Sequence, residues 1–472
     1  MQVLKFTFIL LEVILLFNLL IFVHELGHFL AARWRGLKVD RFAIWFGKPI
    51  WKKNIAGVEY ALGWIPAGGY VALPQMAPME AIEGKSGERT EPLPTITAID
   101  KIIVAFAGPL FSFLLAVVFA VIVWGVGRPV KESDRTRTIG WVDIDGPAWK
   151  GGLRPGDEVV EIDGHVVKQF GASSHESVVW RIVTSEGTNI AFKYLRAGKE
   201  QMAYVTPYLR PTQWYERRAM RQVLIAPTQE AVIFDVITNS PAALAGLRRG
   251  DQVVSVNGAP IYSFHAVFKA EESMTNSVAG PVTFGIARGK ERLEVSLRAE
   301  KPISPESSKP SFGISSWQDR SVTKLIHPSP SEQIQASVSQ IAGTLRALFS
   351  RKSDVGVQQL GGAIMIIRVY TNLFDSPDGW RLVLWFSVVM NVNLALLNML
   401  PFPVLDGGHI TLALLEQIRR RPVSGAILNY FQTACAMALI GFMLFIAFFD
   451  TGDWVRSARQ ERELPVVFAP KK

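Results

Sequence analysis

Four long apolar runs constrain the fold of this chain more than any other feature of its sequence. They cover residues 6–23, 102–124, 382–400 and 431–449, and the last three contain no charged residue. An α-helix needs about 20 apolar residues to cross the hydrocarbon core of a bilayer. The runs therefore predict an α-helical polytopic membrane protein with four transmembrane helices.

The first run has a second interpretation, as a secretory signal peptide. Lys5 precedes it and Ala31-Ala32 follows it, as in a leader with a cleavage site. Cleavage there would remove the segment His-Glu-Leu-Gly-His at 24–28, which has the strongest chemical character in the chain. A retained helix is therefore favoured.

The positive charge of the chain indicates membrane topology rather than a nucleic-acid partner. The net charge is +9, but only 19% of residues are charged and 49% are hydrophobic. Residues 33–53 hold seven basic residues and one acid, Asp40, and a second cluster occupies 419–421. Short loops rich in Lys and Arg face the cytoplasm, so both loops are predicted inside and residues 129–380 outside. The single cysteine, Cys435, excludes an internal disulfide.

An internal repeat lies between the second and third runs. Residues 152–160 read Gly-Leu-Arg-Pro-Gly-Asp-Glu-Val-Val, and 246–254 read Gly-Leu-Arg-Arg-Gly-Asp-Gln-Val-Val. The offset, 246 − 152 = 94 residues, is too long for a solenoid and suits two tandem β-rich domains. The pattern resembles PDZ domains. Two unrelated β domains with similar turns are the alternative.

The segment after the repeats is predicted to be a linker followed by an amphipathic helix. Residues 301–330 are rich in Pro and Ser, with one short strand predicted at 312–314. Apolar residues then recur at helical spacing in 331–349. Such a helix can lie on the membrane surface.

The segment 24–28 carries the clearest chemical signal. His24 and His28 are four residues apart, so on a helix their imidazoles point to the same side and can ligate zinc. Glu25 lies beside them and can take a proton from a water that the metal activates, then pass it to the leaving amine. A chance match is the alternative, but these polar side chains are costly at the end of an apolar helix without a function. We expect Gly27 to permit close helix packing.

A catalytic zinc also needs a third protein ligand and an open position. Four of the other histidines lie in the predicted outer segment, which leaves His409 and the carboxylates near it. Asp406 follows the third run, after Pro401 and Pro403 end the helix. The Gly pair at 407–408 is predicted to form a sharp turn that aims Asp406 at the metal. A helix cap is the alternative role for Asp406.

Segment 24–28 and the motif Asn-x-x-Pro-x-Pro-x-Leu-Asp-Gly at 398–407 together resemble the site-2 protease family of intramembrane zinc metalloproteases. The most similar type is the bacterial regulator-of-sigma-E protease, and the resemblance covers nearly the whole chain. It implies a Zn²⁺ cofactor held by His24, His28 and Asp406, with Glu25 as catalytic acid–base. It also implies a bacterial inner-membrane protein whose two PDZ domains are periplasmic.

The resemblance further implies how a substrate is held. A transmembrane helix must be locally extended before its peptide bond can be attacked, and the extended segment then needs new hydrogen-bond partners. Side-chain amides of the third run and the edge of a small membrane-associated β segment could supply them. The residues implied are Asn393, Asn398, Gly68, Gly69 and Tyr70. Hydrogen bonding between helices is the alternative role for the asparagines, above all Asn391.

Two positions depart from the family pattern. Ser112 stands where an asparagine is usual, and Ala363 stands where a Gly-Pro pair is common. Both are expected to lie away from the metal and to affect only details of substrate gating.

These features predict a zinc metalloendopeptidase that cuts a peptide bond within the membrane segment of a single-span substrate. The family's substrates include anti-sigma factors and remnant signal peptides. A non-catalytic membrane scaffold, binding peptide C-termini or cleaved substrate ends through its PDZ pair, is the alternative, although a scaffold has no need of Glu25. A tethered soluble-type metalloprotease is a third possibility, but it would place the motif in a polar domain.

The predicted domain boundaries follow from these assignments. They are 1–128 for the first half of the membrane domain, with helices at about 5–32 and 101–124 and the β segment at about 55–73; 129–225 and 226–302 for the PDZ domains; 303–378 for the linker and amphipathic helix; and 379–472 for the second half, with helices at about 380–400 and 428–449.

Overall fold

The computed structural model describes residues 2–76, 96–171, 174–274, 280–305, 309–317, 324–376, 378–420, 425–460 and 466–470. The chain forms two compact units. The first comprises residues 1–128, 327–341 and 361–450, and the second comprises 129–326, 342–360 and 451–472. Arg421, part of the second basic cluster, lies outside the described residues.

The α-helices of the described ranges are numbered in chain order. They are α1 (Gln2–Trp34), α2 (Ala98–Val126), α3 (Pro147–Lys150), α4 (Val178–Thr184), α5 (Pro241–Leu244), α6 (His265–Met274), α7 (Pro330–Phe349), α8 (Ala363–Asp375), α9 (Gly379–Asn398), α10 (Asp406–Arg419) and α11 (Gly425–Gln460).

The β-strands are numbered in the same way. They are β1 (Arg41–Ile55), β2 (Val58–Ala72), β3 (Arg128–Val130), β4 (Ile139–Val142), β5 (Glu158–Ile162), β6 (His165–Val166), β7 (Ile190–Arg196), β8 (Lys199–Val205), β9 (Ile225–Pro227), β10 (Ala231–Val236), β11 (Gln252–Val256), β12 (Ala259–Pro260), β13 (Val282–Arg288), β14 (Glu291–Leu297), β15 (Ile314–Trp317) and β16 (Lys324–Ile326).

Within the described residues, four helices are long and apolar enough to cross a membrane, which confirms the predicted architecture. The candidate spans are Thr7–Trp34, Ala98–Val126, Gly379–Asn398 and Tyr430–Ser457. The second span begins with a capping box, in which Thr97 and Asp100 satisfy each other's backbone N–H groups. The second and fourth spans include their whole apolar runs, whereas the third ends at Asn398, two residues before its run does.

Helix α2 packs against both α1 and α9 in the first unit. A Cβ atom at Gly27 of α1 would collide with the backbone carbonyl of Ala107, so glycine is needed for this close approach. Small and branched side chains fill the interface further along, including Ala116, Ala120 and Val388. This packing fixes the face of α1 that carries the two histidines.

Strands β1 and β2 form a small bent sheet in the first unit. The sheet begins at Arg41, earlier than the predicted start near residue 55. Residues 41–44 pair with 59–62 on one side and with 69–72 on the other. No strand in the described ranges pairs with the second side of 69–72. Segment 69–72 is therefore an open sheet edge.

The second unit contains the two repeat copies, each with its own sheet. In the first copy the strand order is β6-β5-β7-β8, with β4 paired to β9. In the second copy the order is β14-β13-β11-β10-β15, and β12 pairs with β11. Each copy encloses a separate apolar core. The strand predicted at 312–314 is β15 and begins at Ile314.

The Gly-Asp turn of each copy is closed by the same arrangement of charges. Asp157 accepts hydrogen bonds from the backbone N–H of Arg154 and from the guanidinium of Arg196. In the second copy, Asp251 accepts from Arg248 N–H and from Arg288. The repeat therefore preserves a buried ion pair as well as a turn.

Helix α7 forms where the amphipathic pattern predicts it. Its first part belongs to the first unit, where the Gln333 side chain donates to the backbone carbonyl of Ala120 at 2.9 Å. Its location on a membrane surface stays a prediction.

Candidate metal centre

Two histidines of α1 form the base of the candidate metal centre. His24 and His28 lie one helical turn apart, and their Nε2 atoms are 3.3 Å from each other. Both side chains are buried. The four-residue spacing thus brings two imidazole nitrogens to one point, as the sequence predicts.

The other ring nitrogens are held by helix α2. His28 Nδ1 donates to the carbonyl oxygen of Val104 at 2.8 Å, which leaves Nε2 with a free lone pair. His24 Nδ1 lies 3.0 Å from Ser112 Oγ. Hydrogen bonds of this kind fix the orientation of imidazole ligands in metal sites.

The contact with Ser112 corrects one prediction. Ser112 was expected to lie away from the metal, but it is fully buried and touches the ring of His24. The sequence signals for this role are the family position, where an asparagine is usual, and a hydroxyl in a long apolar run, but such a hydroxyl more often bonds its own backbone. Ala363, the other departure, begins α8 and does not contact the cluster.

Asp406 completes the cluster from the first turn of α10. Its Oδ2 atom is 3.2 Å from His24 Nε2, and its Oδ1 atom is 3.3 Å from His28 Nε2. The glycine pair does not form the predicted turn, because Gly407 and Gly408 are both helical. They are needed for close packing instead: a Cβ at either position would collide with the backbone carbonyls of residues 399–402.

The donor set fits a zinc ion. The three donor groups lie within 4.8 Å of one another. Zinc bonds of about 2.0–2.2 Å in tetrahedral geometry place neighbouring ligand atoms about 3.3–3.6 Å apart, close to the distances measured here. Among the described residues, none donates a hydrogen bond to Asp406 Oδ2. A carboxylate and two nitrogen lone pairs at this distance repel each other unless a cation lies between them.

Glycines also shape the space around the ligands. A Cβ atom at Gly108 would overlap the ring of His28, so α2 approaches the metal centre more closely than any larger residue would allow. On the other side, a Cβ at Gly69 would lie 3.3 Å from Glu25 Cγ. The open sheet edge therefore runs directly beside Glu25.

The cluster opens into a cavity of about 340 Å³. It is lined by residues of α1, α2 and the sheet edge, and by residues of α9, of the segment before α10, and of α10 and α11. The residues that line it include His24, Glu25, His28, Gly69, Tyr70, Val71, Asn398, Asp406, His409 and Gln432.

The predicted substrate-binding residues divide into two groups. Gly69, Tyr70 and Asn398 line the cavity, and Asn398 Nδ2 is 3.3 Å from His24 Nε2. Gly68 has a positive φ of 77° and packs against the ring of Phe46, which stacks on Tyr70. Gly68 therefore shapes the edge without lining the cavity.

The remaining asparagines of α9 do not face the cavity. Asn393 is half-buried and is not among the residues that line it. Asn391 is fully buried, and its Nδ2 donates to the backbone carbonyl of Ser387 within the same helix. This bond lies within one helix, so it is neither a substrate contact nor the hydrogen bond between helices that was considered from the sequence.

Two residues that line the cavity were not predicted to do so. His409 was considered as a metal ligand but is not part of the His24, His28 and Asp406 donor group, and its Nε2 has no hydrogen-bond partner in the described part of the chain. Gln432 of α11 is only 2% exposed and reaches the same cavity. The one sequence signal for Gln432 is a polar residue in an uncharged apolar run.

The apolar helices and the His-His-Asp cluster define a polytopic membrane protein with a metal centre of the metalloprotease type. The model of peptidase family M50 matches residues 12–442, and the chain belongs to this family. It is a zinc metalloprotease of the multi-pass bacterial type that the sequence predicts.

Relatives align over almost the full chain. The chain is 27% identical over 462 residues to the Regulator of sigma E protease of Haemophilus influenzae, covering 91% of this chain and 96% of the relative. It is 26% identical over 460 residues to the Protease RseP of Yersinia pestis, with 92% and 96% covered. A protein of Vibrio cholerae whose given name describes a zinc metalloprotease is 26% identical over 438 residues, with 87% and 91% covered.

Proposed function

We propose that this protein hydrolyses a peptide bond within the transmembrane segment of a membrane-protein substrate. The observation that carries the proposal is the location of the metal centre. Two of its three donor residues lie within the first candidate span, and the open sheet edge 69–72 lines the same cavity. A site of this kind suits a substrate that arrives within the membrane.

Each residue has a distinct proposed role. A zinc ion held by His24, His28 and Asp406 would polarise the scissile carbonyl and lower the pKa of a water molecule to about 7. Glu25 accepts the proton of the attacking water and delivers it to the leaving amine. The amide of Asn398 donates a hydrogen bond to the carbonyl oxygen as negative charge develops there.

The sheet edge would hold the substrate in an extended form. Segment 69–72 uses only one side of its backbone for pairing within the sheet. An unwound substrate segment can add to the other side as a further strand, with hydrogen bonds from backbone to backbone. This mode of binding recognises an extended shape more than a particular sequence, which suits substrates such as anti-sigma factors or remnant signal peptides.

A matched pair of variants tests the catalytic proposal. Glu25→Gln removes the proton acceptor without changing the size of the side chain. Glu12→Gln makes the same change about three and a half turns away on the same helix. With a single-span model substrate in membranes, we expect Glu25→Gln and a zinc chelator each to abolish cleavage, and Glu12→Gln to retain it. Equal cleavage by wild type and Glu25→Gln would favour the non-catalytic scaffold instead.

We also propose that the second unit lies on the periplasmic side of the inner membrane and that its two β domains are PDZ domains that bind peptide ends. The clusters of basic residues at 33–53 and 419–421 support this orientation. Reporter fusions after Arg420 should report a cytoplasmic location. A fusion active only outside the cell would contradict the orientation.

A further inference from the structure

Two buried polar side chains that line the cavity carry an atom with no hydrogen-bond partner in the described part of the chain. Gln432 is 2% exposed and His409 is 8% exposed. Gln432 Oε1 and His409 Nε2 make no hydrogen bond within the described ranges of the chain. They belong to different helices, α11 and α10, yet both line the cavity that holds the metal cluster.

Such atoms are unfavourable unless something binds them. A buried donor or acceptor without a partner is destabilising, and inside a bilayer little water is available to replace the partner. The Gln432 amide makes one weak contact, from Nε2 to the carbonyl oxygen of Pro403 at 3.4 Å. Oε1 of the same amide accepts no hydrogen bond from the described residues.

An extended substrate has groups that match these atoms. Along a strand, backbone N–H and C=O groups point alternately to the two sides. A segment paired with edge 69–72 satisfies the groups on one side only. Those on the other side need partners from elsewhere in the cavity, where Oε1 of Gln432 can accept an N–H and an Nε2–H of His409 can donate to a C=O.

We propose that Gln432 and His409 form a second backbone-binding wall, so that the substrate strand is hydrogen-bonded on both sides. The ligand is the extended peptide backbone itself. The inference rests on the proposed intramembrane cleavage and assigns two substrate-binding residues to it. Hydrogen bonds to both sides of the substrate backbone also explain how this protein can keep a peptide extended inside the apolar bilayer.

Binding without turnover is the first test. In the Glu25→Gln protein, the affinity for a fluorescent synthetic single-span peptide with a central Gly-Pro pair is measured in detergent. Gln432→Met keeps the size of the side chain but removes the acceptor, and we expect about 10-fold weaker binding with unchanged zinc content. Gln432→Glu keeps an acceptor and should restore most of the affinity. Phe431→Leu, an exposed neighbour, is the control and should bind normally.

A backbone-modified peptide identifies the partner directly. Replacing single amides near the cleavage site by esters removes one N–H at a time. At one of the positions that face away from the sheet edge, the ester should weaken binding to the Gln432-containing protein, and this loss should disappear in Gln432→Met. His409→Phe should likewise weaken binding about 10-fold without loss of zinc.

Four results would overturn the inference. Unchanged binding by Gln432→Met and His409→Phe would exclude the second wall. A parallel loss of zinc in both variants would show that they only position the 403–406 loop. If each ester weakens peptide binding equally in the protein with Gln432 and in Gln432→Met, the contact between a substrate N–H and Gln432 is excluded. If wild type itself fails to cleave, the proposed function fails, whereas cleavage by wild type with normal Gln432→Met kinetics defeats this inference alone.

Discussion

Asp406 and Asp251 are two shielded aspartates with opposite surroundings. Asp251 has a side chain 1% exposed and accepts two hydrogen bonds from Arg288 and one from the Arg248 N–H. Asp406 is 16% exposed and faces two imidazole nitrogens at 3.2 and 3.3 Å. The Asp251 carboxylate accepts its hydrogen bonds from protein donors, whereas the Asp406 carboxylate is positioned to bind a cation.

The comparison distinguishes a structural carboxylate from a metal ligand by its partners. Both residues follow or precede glycine, and both sit near the start of an element, so position in the sequence does not separate them. What separates Asp251 from Asp406 is the number of N–H donors that surround each carboxylate. The same substitution at the two sites should therefore have different consequences.

The largest expected effect is that of Asp406→Asn. The variant keeps the shape of the side chain but loses the negative charge, so we expect more than about 100-fold loss of activity, since even changes to residues that only support ligands cost about 10–100-fold. Zinc per protein chain, measured by mass spectrometry, should fall in parallel. Asp251→Asn is the matched control and should keep its full zinc content. Normal zinc in Asp406→Asn would remove Asp406 from the ligand set.

A smaller effect is expected at Ser112, which holds a ligand without binding the metal. Ser112→Ala removes the hydrogen-bond partner of His24 Nδ1, and we expect zinc affinity to fall about 10–100-fold. Ser387→Ala changes an equally buried serine that bonds Tyr370 and its own helix. It should leave zinc affinity unchanged in a competition titration with a chelator. Equal zinc affinity in wild type and Ser112→Ala would mean that packing alone orients His24.

Much of this metal centre could be predicted from the sequence because it depends on local geometry. The spacing of His24 and His28 determines their common face once α1 is a helix. The long apolar runs determine the four spans by length alone. The position of Asp406 could be inferred from a motif, although the role of its glycines could not, since close packing depends on which backbone lies opposite.

The rest of the site depends on contacts between distant segments. Ser112 and Gln432 are single polar residues in apolar helices, and no local pattern shows which neighbour they face. The bent course of β1, which pairs with two parts of β2, also escapes a pattern search because its residues do not alternate regularly. The partner of each Asp in the repeats, Arg196 or Arg288, lies outside the motif that makes the repeat visible.

The smallest expected effect concerns the saturated aspartates. Asp251→Asn leaves Arg288 without its anionic partner, and we expect the second β domain to lose about 1–3 kcal/mol of unfolding free energy. Hydrogen exchange of the full-length protein should show faster exchange in β11 and unchanged exchange in β5. Asp157→Asn should give the reverse pattern. Equal acceleration of both strands in either variant would show that the two domains open together.

The pH dependence of the same variant sharpens the comparison. Burial alone would raise the pKa of Asp251, but the hydrogen bonds from Arg288 and from the Arg248 N–H outweigh it and hold this pKa below its ordinary value. A carboxyl whose pKa is lowered on folding stabilises the folded state above its unfolded pKa, about 3.9. This contribution is lost as the pH falls through the lower, folded pKa. The difference in β11 protection between wild type and Asp251→Asn, corrected for intrinsic exchange rates, should therefore stay constant from about pH 7 to 5 and shrink below about pH 4. A difference that persists unchanged at pH 3 would mean that the turn depends on the shape of the side chain and not on its charge.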